Sequence, residues 1–477
     1  MNRTCIAAAV CIALCTCLTR PATGFEPEHS VYPADSTVSL RFVPKSAWAK
    51  KNFAHPKLKV SYVRDDRRFS GGEEFKDAGR EPLRFKREAG AIVITLPLRG
   101  EHEHSFAFYT PKKKKSDRFG DITKFSAVYT LRPDLFALRP LKGEIHQPSQ
   151  FSPDGKMPVE QHIRYAREAG FDFIAVTDHF NWDQNPVAIA AARDSGSGLT
   201  VYPGEEIHNK ASLHSICLGA PHKMSQMERT PEFAAEWRPI FEELRKECPS
   251  VEKSELQALA ESLAVIRRAK ASGAMVIYSH PFWKYHGRFN SPFFMSEYIL
   301  AHNEVDAVEI VNGDINGTNK NSLTEAWLYE LAFKTGKRWP VVSASDCHNV
   351  SQIERFRRNY NVILGRDCSL DEFRAAVTNF RSVAAIDTAD RYKKLPHPVF
   401  YGPLRICRFA YFLYDSGYWK KHDRLTKKQA ALIAKYLEGD KSVVPEIKKL
   451  AAEIDALREA LYAPPADGAD KKHGNEH

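Results

Sequence analysis

Between Phe25 and about Pro140, apolar and polar residues alternate with a period of two. Alternating runs occur at residues 38–42, 58–62, 92–96, 106–108 and 128–131, and glycine, proline and charged clusters separate them. A period of two is that of strands with one buried face. The pattern predicts a small antiparallel β-sandwich over residues 25–140.

The pattern changes between residues 141 and 390, where apolar runs of four or five residues alternate with helix-like segments. The apolar runs are residues 173–176, 199–202, 275–278, 307–311 and 339–342. The helix-like segments include residues 158–169, 231–246, 253–271 and 318–334. Alternation of strand and helix predicts an α/β domain built on a parallel sheet, either open or closed into a barrel.

The last part of the chain has helical periodicity. Residues 425–438 and 443–461 carry apolar side chains three and four positions apart, which predicts a helical extension over residues 391–462 that packs as an αα-hairpin. The polar residues 463–477 are expected to form a disordered tail.

The N-terminus has the pattern of a secretory signal peptide. Arg3 precedes an apolar stretch at residues 6–18, and small residues at 22–24 offer a cleavage site before Phe25. We therefore expect export to the periplasm or the cell exterior. A lipid anchor at Cys15 or Cys17 is the alternative, although neither follows the small residue that such a site prefers. No apolar run is long enough to form a transmembrane segment.

Composition narrows the class of protein further. The 477 residues indicate two or three domains, and 43% hydrophobic with 27% charged residues is typical of a globular chain. The net charge of +10 favours anionic partners. No nucleic-acid partner is expected, because the lysine run at residues 112–115 has no interleaved aromatic residues. The oligomeric state is not indicated.

Histidines and carboxylates follow the ends of the predicted strands. They are Glu144 with His146 and Asp154, Asp178 with His179, Glu205 and Glu206 with His214, His280, and Asp346 with His348. Carboxyl ends of parallel strands meet at one edge of a sheet, and these side chains are ligands of Zn, Mn and Fe. Each cluster alone also fits a helix cap beside a buried histidine. Together they predict a metal site.

This set of motifs, in this order, resembles the polymerase and histidinol phosphatase (PHP) superfamily. The motifs are Thr177-Asp178-His179, Gly204-Glu205-Glu206, His280-Pro281 and Asp346-Cys347-His348. The resemblance implies a distorted (β/α)7 barrel that holds two or three divalent ions (Zn, Mn or Fe), without an organic cofactor, and hydrolyses phosphoesters. The β-sandwich before the barrel and the helices after it resemble the exported branch that includes hydrolases of the CehA/McbA type.

The resemblance also implies which residues form the site. The implied metal ligands are His146, Asp154, His179, Glu206, His214, His280, Asp346 and His348. Asp178, Glu206 and His348 are the candidate catalytic residues, although for Asp178 the orientation of a ligand histidine is favoured over proton transfer. One departure is that Pro148 stands where the family has a second ligand histidine, which weakens or removes one metal ion. Glu144 stands where the family has Asp.

Four residues after predicted strand ends are candidates for contact with an anionic substrate: Lys284, His286, Asn312 and Arg355. The leading hypothesis is an exported metal-dependent phosphoesterase (EC 3.1 class) acting on a small anionic or phosphorylated substrate, either a phosphomonoester or a phosphodiester. One alternative is the same fold cleaving a carboxylic ester, carbamate or amide. A second alternative is a degenerate PHP binding protein without catalysis.

Overall fold

The computed structural model describes residues 24–63, 80–110, 123–209, 213–313, 320–389 and 396–464. The predicted signal peptide, the lysine run and nearly all of the predicted tail lie outside these residues. The described residues divide into two units. The first comprises residues 24–137, 412–418 and 457–464, and the second comprises residues 138–411 and 419–456.

The first unit contains two sheets and two short helices. Its strands are β1 (Phe25–Pro27), β2 (Val31–Pro33), β3 (Ser36–Pro44), β4 (Lys59–Val63), β5 (Arg80–Leu83), β6 (Lys86–Glu88), β7 (Ala91–Leu98), β8 (Glu103–Tyr109) and β9 (Thr123–Leu131), and its helices are α1 (Ala47–Asn52) and α2 (Pro133–Phe136). One sheet has the order β1-β3-β7-β6 and the other the order β2-β9-β8-β4-β5. All pairings are antiparallel except β2 with β9.

The inner faces of these two sheets share one core. Phe25 and Phe42 from the first sheet contact Phe108 from the second, with ring centroids 4.7 and 5.1 Å apart. Leu40 and Val128 are also fully buried in this cluster. Alternate residues of each strand point to one face, so the period-two pattern supplies the apolar side chains that fill the space between the sheets.

The second unit is built on a ten-stranded sheet. Its strands are β10 (Arg139–Glu144), β11 (Phe173–Val176), β12 (Thr200–Ile207), β13 (Ser215–Leu218), β14 (Met275–Tyr278), β17 (Ala307–Asn312), β18 (Val341–Ala344), β19 (Asn359–Gly365), β20 (Ser382–Ala389) and β21 (Pro396–Tyr401), while β15 (Lys284–Tyr285) and β16 (Arg288–Phe289) form a separate hairpin. The order in the large sheet is β18-β17-β14-β13-β12-β11-β10-β19-β20-β21.

The α/β class is confirmed, but the sheet is mixed rather than parallel throughout. The runs β10-β11-β12 and β14-β17-β18 are parallel. In contrast, β13 is antiparallel to both of its neighbours, and β19, β20 and β21 pair antiparallel. The connection from β12 to β13 spans only residues 208–214, which is too short for the crossover that a parallel neighbour needs. The layout of seven strand–helix units remains a prediction.

The sheet curves so that its edge strand β18 lies close to β19 and β20. The amide nitrogen of Asn361 on β19 donates to the carbonyl of Ser343 on β18, and its amide oxygen accepts from the Ser343 N–H, both at 2.8 Å. The Ser343 hydroxyl donates to the carbonyl of Ala385 on β20 at 2.8 Å. Side chains therefore bridge this seam of a nearly closed, barrel-like sheet.

Helices connect the strands and continue after the sheet. They are α3 (Gln161–Glu168), α4 (Gln184–Ser195), α5 (Pro231–Glu247), α6 (Lys253–Ala271), α7 (Phe293–Ala301), α8 (Lys320–Thr335), α9 (Ile353–Arg358), α10 (Leu370–Thr378), α11 (Leu404–Asp415), α12 (Tyr418–Leu437) and α13 (Val444–Ala460). Local chemistry sets some ends: Thr230 caps α5 by accepting from the Phe233 N–H, and a proline follows at the first helical position. Within the described ranges, no helix has the length and apolar content required to cross a membrane.

Candidate metal centre

Glu206, near the end of β12, lies at the centre of a histidine cluster and is 1% exposed. Its Oε1 is 3.0 Å from His214 Nδ1 and 3.0 Å from His280 Nε2. Its Oε2 is 3.0 Å from His146 Nε2 and 3.3 Å from His179 Nε2. Each carboxylate oxygen therefore faces a different pair of imidazoles, and Glu206 could be shared between cations held by its histidine neighbours.

Two aspartates extend the cluster toward solvent. Asp154 Oδ2 lies 3.3 Å from His348 Nε2 and 3.6 Å from His179 Nε2. Asp346 Oδ1 lies 3.5 Å from His146 Nε2 and 3.6 Å from His348 Nδ1. With Glu206 and its neighbours, all eight residues that the sequence resemblance implies as ligands lie in one cluster. Their role as ligands is still a prediction.

Three overlapping groups in the described residues have the geometry to hold a metal ion. They are His146, Glu206 and His280; Asp154, His179 and His348; and His179, Glu206 and His214. In each group one potential ligand atom per residue lies within 4.8 Å of the others. Pro148, at the place of the missing family histidine, is buried and has no ligand atom on its side chain. Three groups remain available despite that substitution.

The mutual electrostatics of the cluster are strong. Burial raises the pKa of Glu206, but the charges of His179 and His146 outweigh burial and hold that pKa well below its usual range. Burial lowers the pKa of His146, yet the carboxylates of Glu206 and Glu309 raise it well above 6.5. The pKa of His348 is raised to about 9 because its hydrogen bond to Asp154 outweighs burial.

Glu309 on β17 forms hydrogen bonds with two histidines of the cluster, and it was not predicted from the sequence. Its Oε1 accepts from His146 Nδ1 at 2.7 Å, and its Oε2 accepts from the His280 N–H and from Asn312 Nδ2, both at 2.9 Å. A carboxylate on Nδ1 leaves the Nε2 of His146 free to face Glu206. An acidic residue within the apolar run 307–311 was the available signal.

Other buried carboxylates position the backbone around the cluster. Glu144 Oε1 accepts from the N–H groups of His146 and Ser345 at 3.0 and 2.7 Å, and burial raises the pKa of Glu144 to about 8. Glu205 accepts from the N–H groups of Met224 and Ser225 at 2.7 and 3.1 Å. Glu205 and Glu206 are adjacent in sequence but face different partners, and Glu206 is the one that faces the histidines.

Asp178 contacts a loop rather than the cavity. Its carboxylate accepts from the Ser149 N–H at 2.5 Å and from the Ser149 hydroxyl at 2.8 Å. Burial raises the pKa of Asp178 to about 6. These bonds hold the loop that continues to Asp154, so Asp178 positions a predicted ligand through the backbone. Its predicted part in proton transfer is not tested by this geometry.

The cluster opens into a cavity of about 410 Å³. Of the four predicted substrate contacts, Arg355 lines this cavity. Asn312 is buried and bonded to Glu309, while Lys284 and His286 are exposed on the β15–β16 hairpin and do not line it. Lys284 and His286 were expected near the substrate because they follow a predicted strand end. In this segment, however, the cavity lining ends at Trp283.

The sequence analysis also missed three residues that line the cavity, Trp283, Lys320 and Gln352. The Trp283 ring lies 5.5 Å from the His280 ring, and Gln352 Oε1 accepts from the His348 N–H at 2.9 Å. His208 is a further neighbour, with its Nε2 3.1 Å from His179 Nδ1. His208 directly follows β12, so its place at a strand end was an available signal. Trp283 lies in a loop, Lys320 at the start of α8 and Gln352 just before α9, so no strand-end motif marks these three residues.

Backbone strain coincides with the cluster. His280 and Asp346 have φ values of 30° and 51°, in the left-handed region that L-residues rarely adopt. Such conformations persist when surrounding contacts hold them and are concentrated at functional sites. The His280 N–H bond to Glu309 and the Asp346 N–H bond to the His146 carbonyl are two of these contacts.

No protein-family model and no curated protein matches this sequence. Similar solved structures include a two-domain protein containing a predicted PHP-like metal-dependent phosphoesterase from Bacteroides vulgatus, with 17% identity and a TM-score of 0.36 over 53% of this chain and 66% of that one. An amidohydrolase from Chromobacterium violaceum has 16% identity and a TM-score of 0.29 over 44% and 89% of the two chains.

A protein from Bifidobacterium adolescentis named as a metal-dependent phosphoesterase has 18% identity and a TM-score of 0.29 over 43% of this chain and 87% of that one. Similarity at these scores does not by itself assign an activity. Any activity is therefore inferred from the residues of the candidate metal centre.

Proposed function

We propose that this protein is an exported, metal-dependent hydrolase of the PHP type that cleaves phosphoesters. The observation that carries the proposal is Glu206, whose two oxygens each face two imidazoles in a cavity accessible from solvent. Packing alone does not account for so many buried histidines and carboxylates in one cluster, whereas metal binding accounts for all of them. Export rests on the signal-like N-terminal sequence alone.

The donor set fits two or three divalent ions such as Zn, Mn or Fe. Imidazole nitrogens combined with carboxylate oxygens suit these ions, and no described cluster residue is a cysteine. His146, Glu206 and His280 would hold one ion, and Asp154, His179 and His348 would hold another. His214 would complete a third group with His179 and Glu206. The three groups share His179 and Glu206, so together they would hold two or three ions.

The chain's own residues prepare this centre for hydrolysis. Bound cations would polarise a substrate oxygen and increase the acidity of water. His348 donates from Nδ1 to the Asp346 carbonyl at 2.9 Å, so its Nε2 points toward Asp154 at the cavity. Asp154 is half-exposed, which places its carboxylate where solvent and substrate arrive. Asp178 holds the loop that leads to it.

Two alternatives remain, one a different hydrolytic reaction and the other binding without catalysis. The same centre could cleave a carboxylic ester, carbamate or amide, because the metal chemistry is shared between these reactions. A degenerate binding protein is the second alternative, and Pro148 is the residue that favours it. The substrate is expected to be small and anionic, since the cavity holds about 410 Å³ and Lys320 and Arg355 line it.

The test is hydrolysis by purified protein loaded with Mn or Zn. We expect release of p-nitrophenol from p-nitrophenyl phosphate or its bis ester, loss of activity after chelation, and recovery when metal returns. Glu206→Ala and His348→Ala should each abolish turnover, whereas His302→Ala should not, because His302 lies on the surface beside Glu247. Preference for p-nitrophenyl acetate would support the ester alternative. Bound metal below one equivalent with no hydrolysis would support the binding-protein alternative.

A further inference from the structure

We propose that Lys320, Arg355 and Gly313 form an anion-binding subsite beside the metal centre that selects dianionic phosphomonoesters over neutral esters. The inference rests on the proposed function, since it names the substrate class of that same cavity. Lys320 and Arg355 both line the cavity with the predicted ligands. Neither the strand-end motifs nor the sequence resemblance identifies Lys320 or Gly313.

Lys320, at the start of α8, is a partly buried cation with a neutral partner. Its Nζ donates to Asn312 Oδ1 at 2.5 Å, and Asn312 in turn donates to Glu309 at 2.9 Å. Within the described part of the chain the ammonium forms no ion pair. Burial lowers the pKa of Lys320 despite the charges of Asp346 and Glu309. The ammonium is therefore held at the cavity wall with capacity to bind a further anion.

Gly313 provides the space between the two cations. A Cβ at this position would lie 3.4 Å from Lys320 Nζ and 4.0 Å from Arg355 Nη1. The backbone there is held at both ends, because the Gly313 N–H donates to Ala344 at 3.1 Å and the Gly313 carbonyl accepts from Asn359 at 2.7 Å. The Ser345 carbonyl oxygen would lie 3.9 Å from the same point. An anionic oxygen held between the two cations would lie close to this position, and a methyl group on Gly313 would crowd it.

Charge decides which substrates fit this subsite. Two cations close together repel each other, and a dianion relieves this repulsion while also contacting the metal centre. A phosphomonoester has three non-bridging oxygens, so it can contact the metal side and the Lys320–Arg355 side together. A carboxylic ester is neutral and brings neither cation an anionic partner. A phosphodiester has one charge fewer and two bulky substituents.

The experiment compares Lys320→Met with Lys337→Met in the metal-loaded full chain, because Lys337 is an exposed lysine outside the cavity lining. We measure metal content, kcat and KM for p-nitrophenyl phosphate and p-nitrophenyl acetate, and the Kd of inorganic phosphate by calorimetry. Lys320→Met should weaken phosphate binding and raise the phosphomonoester KM by about 10- to 100-fold. The KM for p-nitrophenyl acetate should rise far less than the phosphomonoester KM, metal content should stay within twofold, and Lys337→Met should match the wild type.

A second pair of variants separates obstruction from backbone strain. Gly313 and Gly336 have similar φ values of 66° and 70°, but a Cβ at Gly336 would meet nothing within 4 Å. Gly313→Ala should weaken phosphate binding as Lys320→Met does, and Gly336→Ala should not. Unchanged phosphate affinity in Lys320→Met, or equal effects of the two glycine variants, overturns the subsite. A wild type that binds phosphate but hydrolyses no ester refutes the proposed function instead, and the Kd comparison still decides the subsite.

Discussion

Replacement of Glu309 by glutamine tests whether a buried carboxylate beneath the cluster prepares it for metal. Glu309 accepts three hydrogen bonds, from His146 Nδ1, the His280 N–H and Asn312 Nδ2. All three partners donate in the arrangement that directs His146 Nε2 toward Glu206. A glutamine side chain keeps the shape but replaces one acceptor oxygen with an NH₂ group that can only donate.

Neither orientation of the new amide satisfies its neighbours. If the amide oxygen faces His146, the NH₂ group faces the His280 N–H and the Asn312 amide, so donor meets donor. If the amide is reversed, the NH₂ group faces His146 Nδ1 and favours the tautomer with a proton on Nε2, which blocks a ligand position. Either mismatch costs about 1–3 kcal/mol. We therefore expect metal affinity to fall about 10- to 100-fold.

The assay is competition for Zn or Mn against a chromophoric chelator, with circular dichroism to check the fold. The matched control is Glu372→Gln, which alters a buried carboxylate that is paired with Arg366 and Arg381 and does not line the cavity. It should lower stability without changing metal affinity. If Glu309→Gln binds metal as tightly as the wild type, the carboxylate does not set the tautomer of His146 and this reasoning is wrong.

Two further predictions concern pH and the seam of the sheet. The hydrogen bond to Asp154 raises the pKa of His348 to about 9 against the opposing effect of burial, so a metal ion must displace its proton below that pH. Metal affinity should rise with pH up to about 9, by up to about tenfold per unit for this proton; equal calorimetric heats in buffers of different ionisation enthalpy would show no proton release and contradict this. Asn361→Ala should lower the free energy of unfolding in urea by about 2–4 kcal/mol, because the buried N–H and carbonyl of Ser343 lose their partners. A loss no larger than that of Asn379→Ala, an exposed control, would show that these bonds do not hold the seam.

The element types were predictable where local periodicity is strong. The apolar run at residues 173–176 coincides with β11, and the segments at 231–246 and 253–271 correspond closely to α5 and α6. The strands β13 and β19, which are antiparallel to their neighbours, were not among the predicted strands. Direction depends on the length of the connections and on neighbours distant in sequence, which a local pattern does not contain.

The candidate site divides along the same line. The family resemblance, carried by the strand-end motifs, implied the eight residues that lie in one cluster with Glu206 at its centre, because the order and residue types of those motifs are local features. They did not identify Glu309 or Lys320, and they placed Lys284 near the substrate although its hairpin lies outside the cavity. Partners of this kind depend on which loops and helix starts reach the cavity after the sheet has curved.

The amino-acid sequence by itself indicated the α/β class and the positions along the chain of the histidines and carboxylates that form the cluster. Only the tertiary structure decided that Glu309 accepts from His146 and His280, that Asp178 holds a loop, and that a lysine and an arginine both lie near Gly313. The physical reason is that periodicity and residue type act over a few residues, whereas distances across a nearly closed sheet are fixed by the packing of segments far apart in the chain.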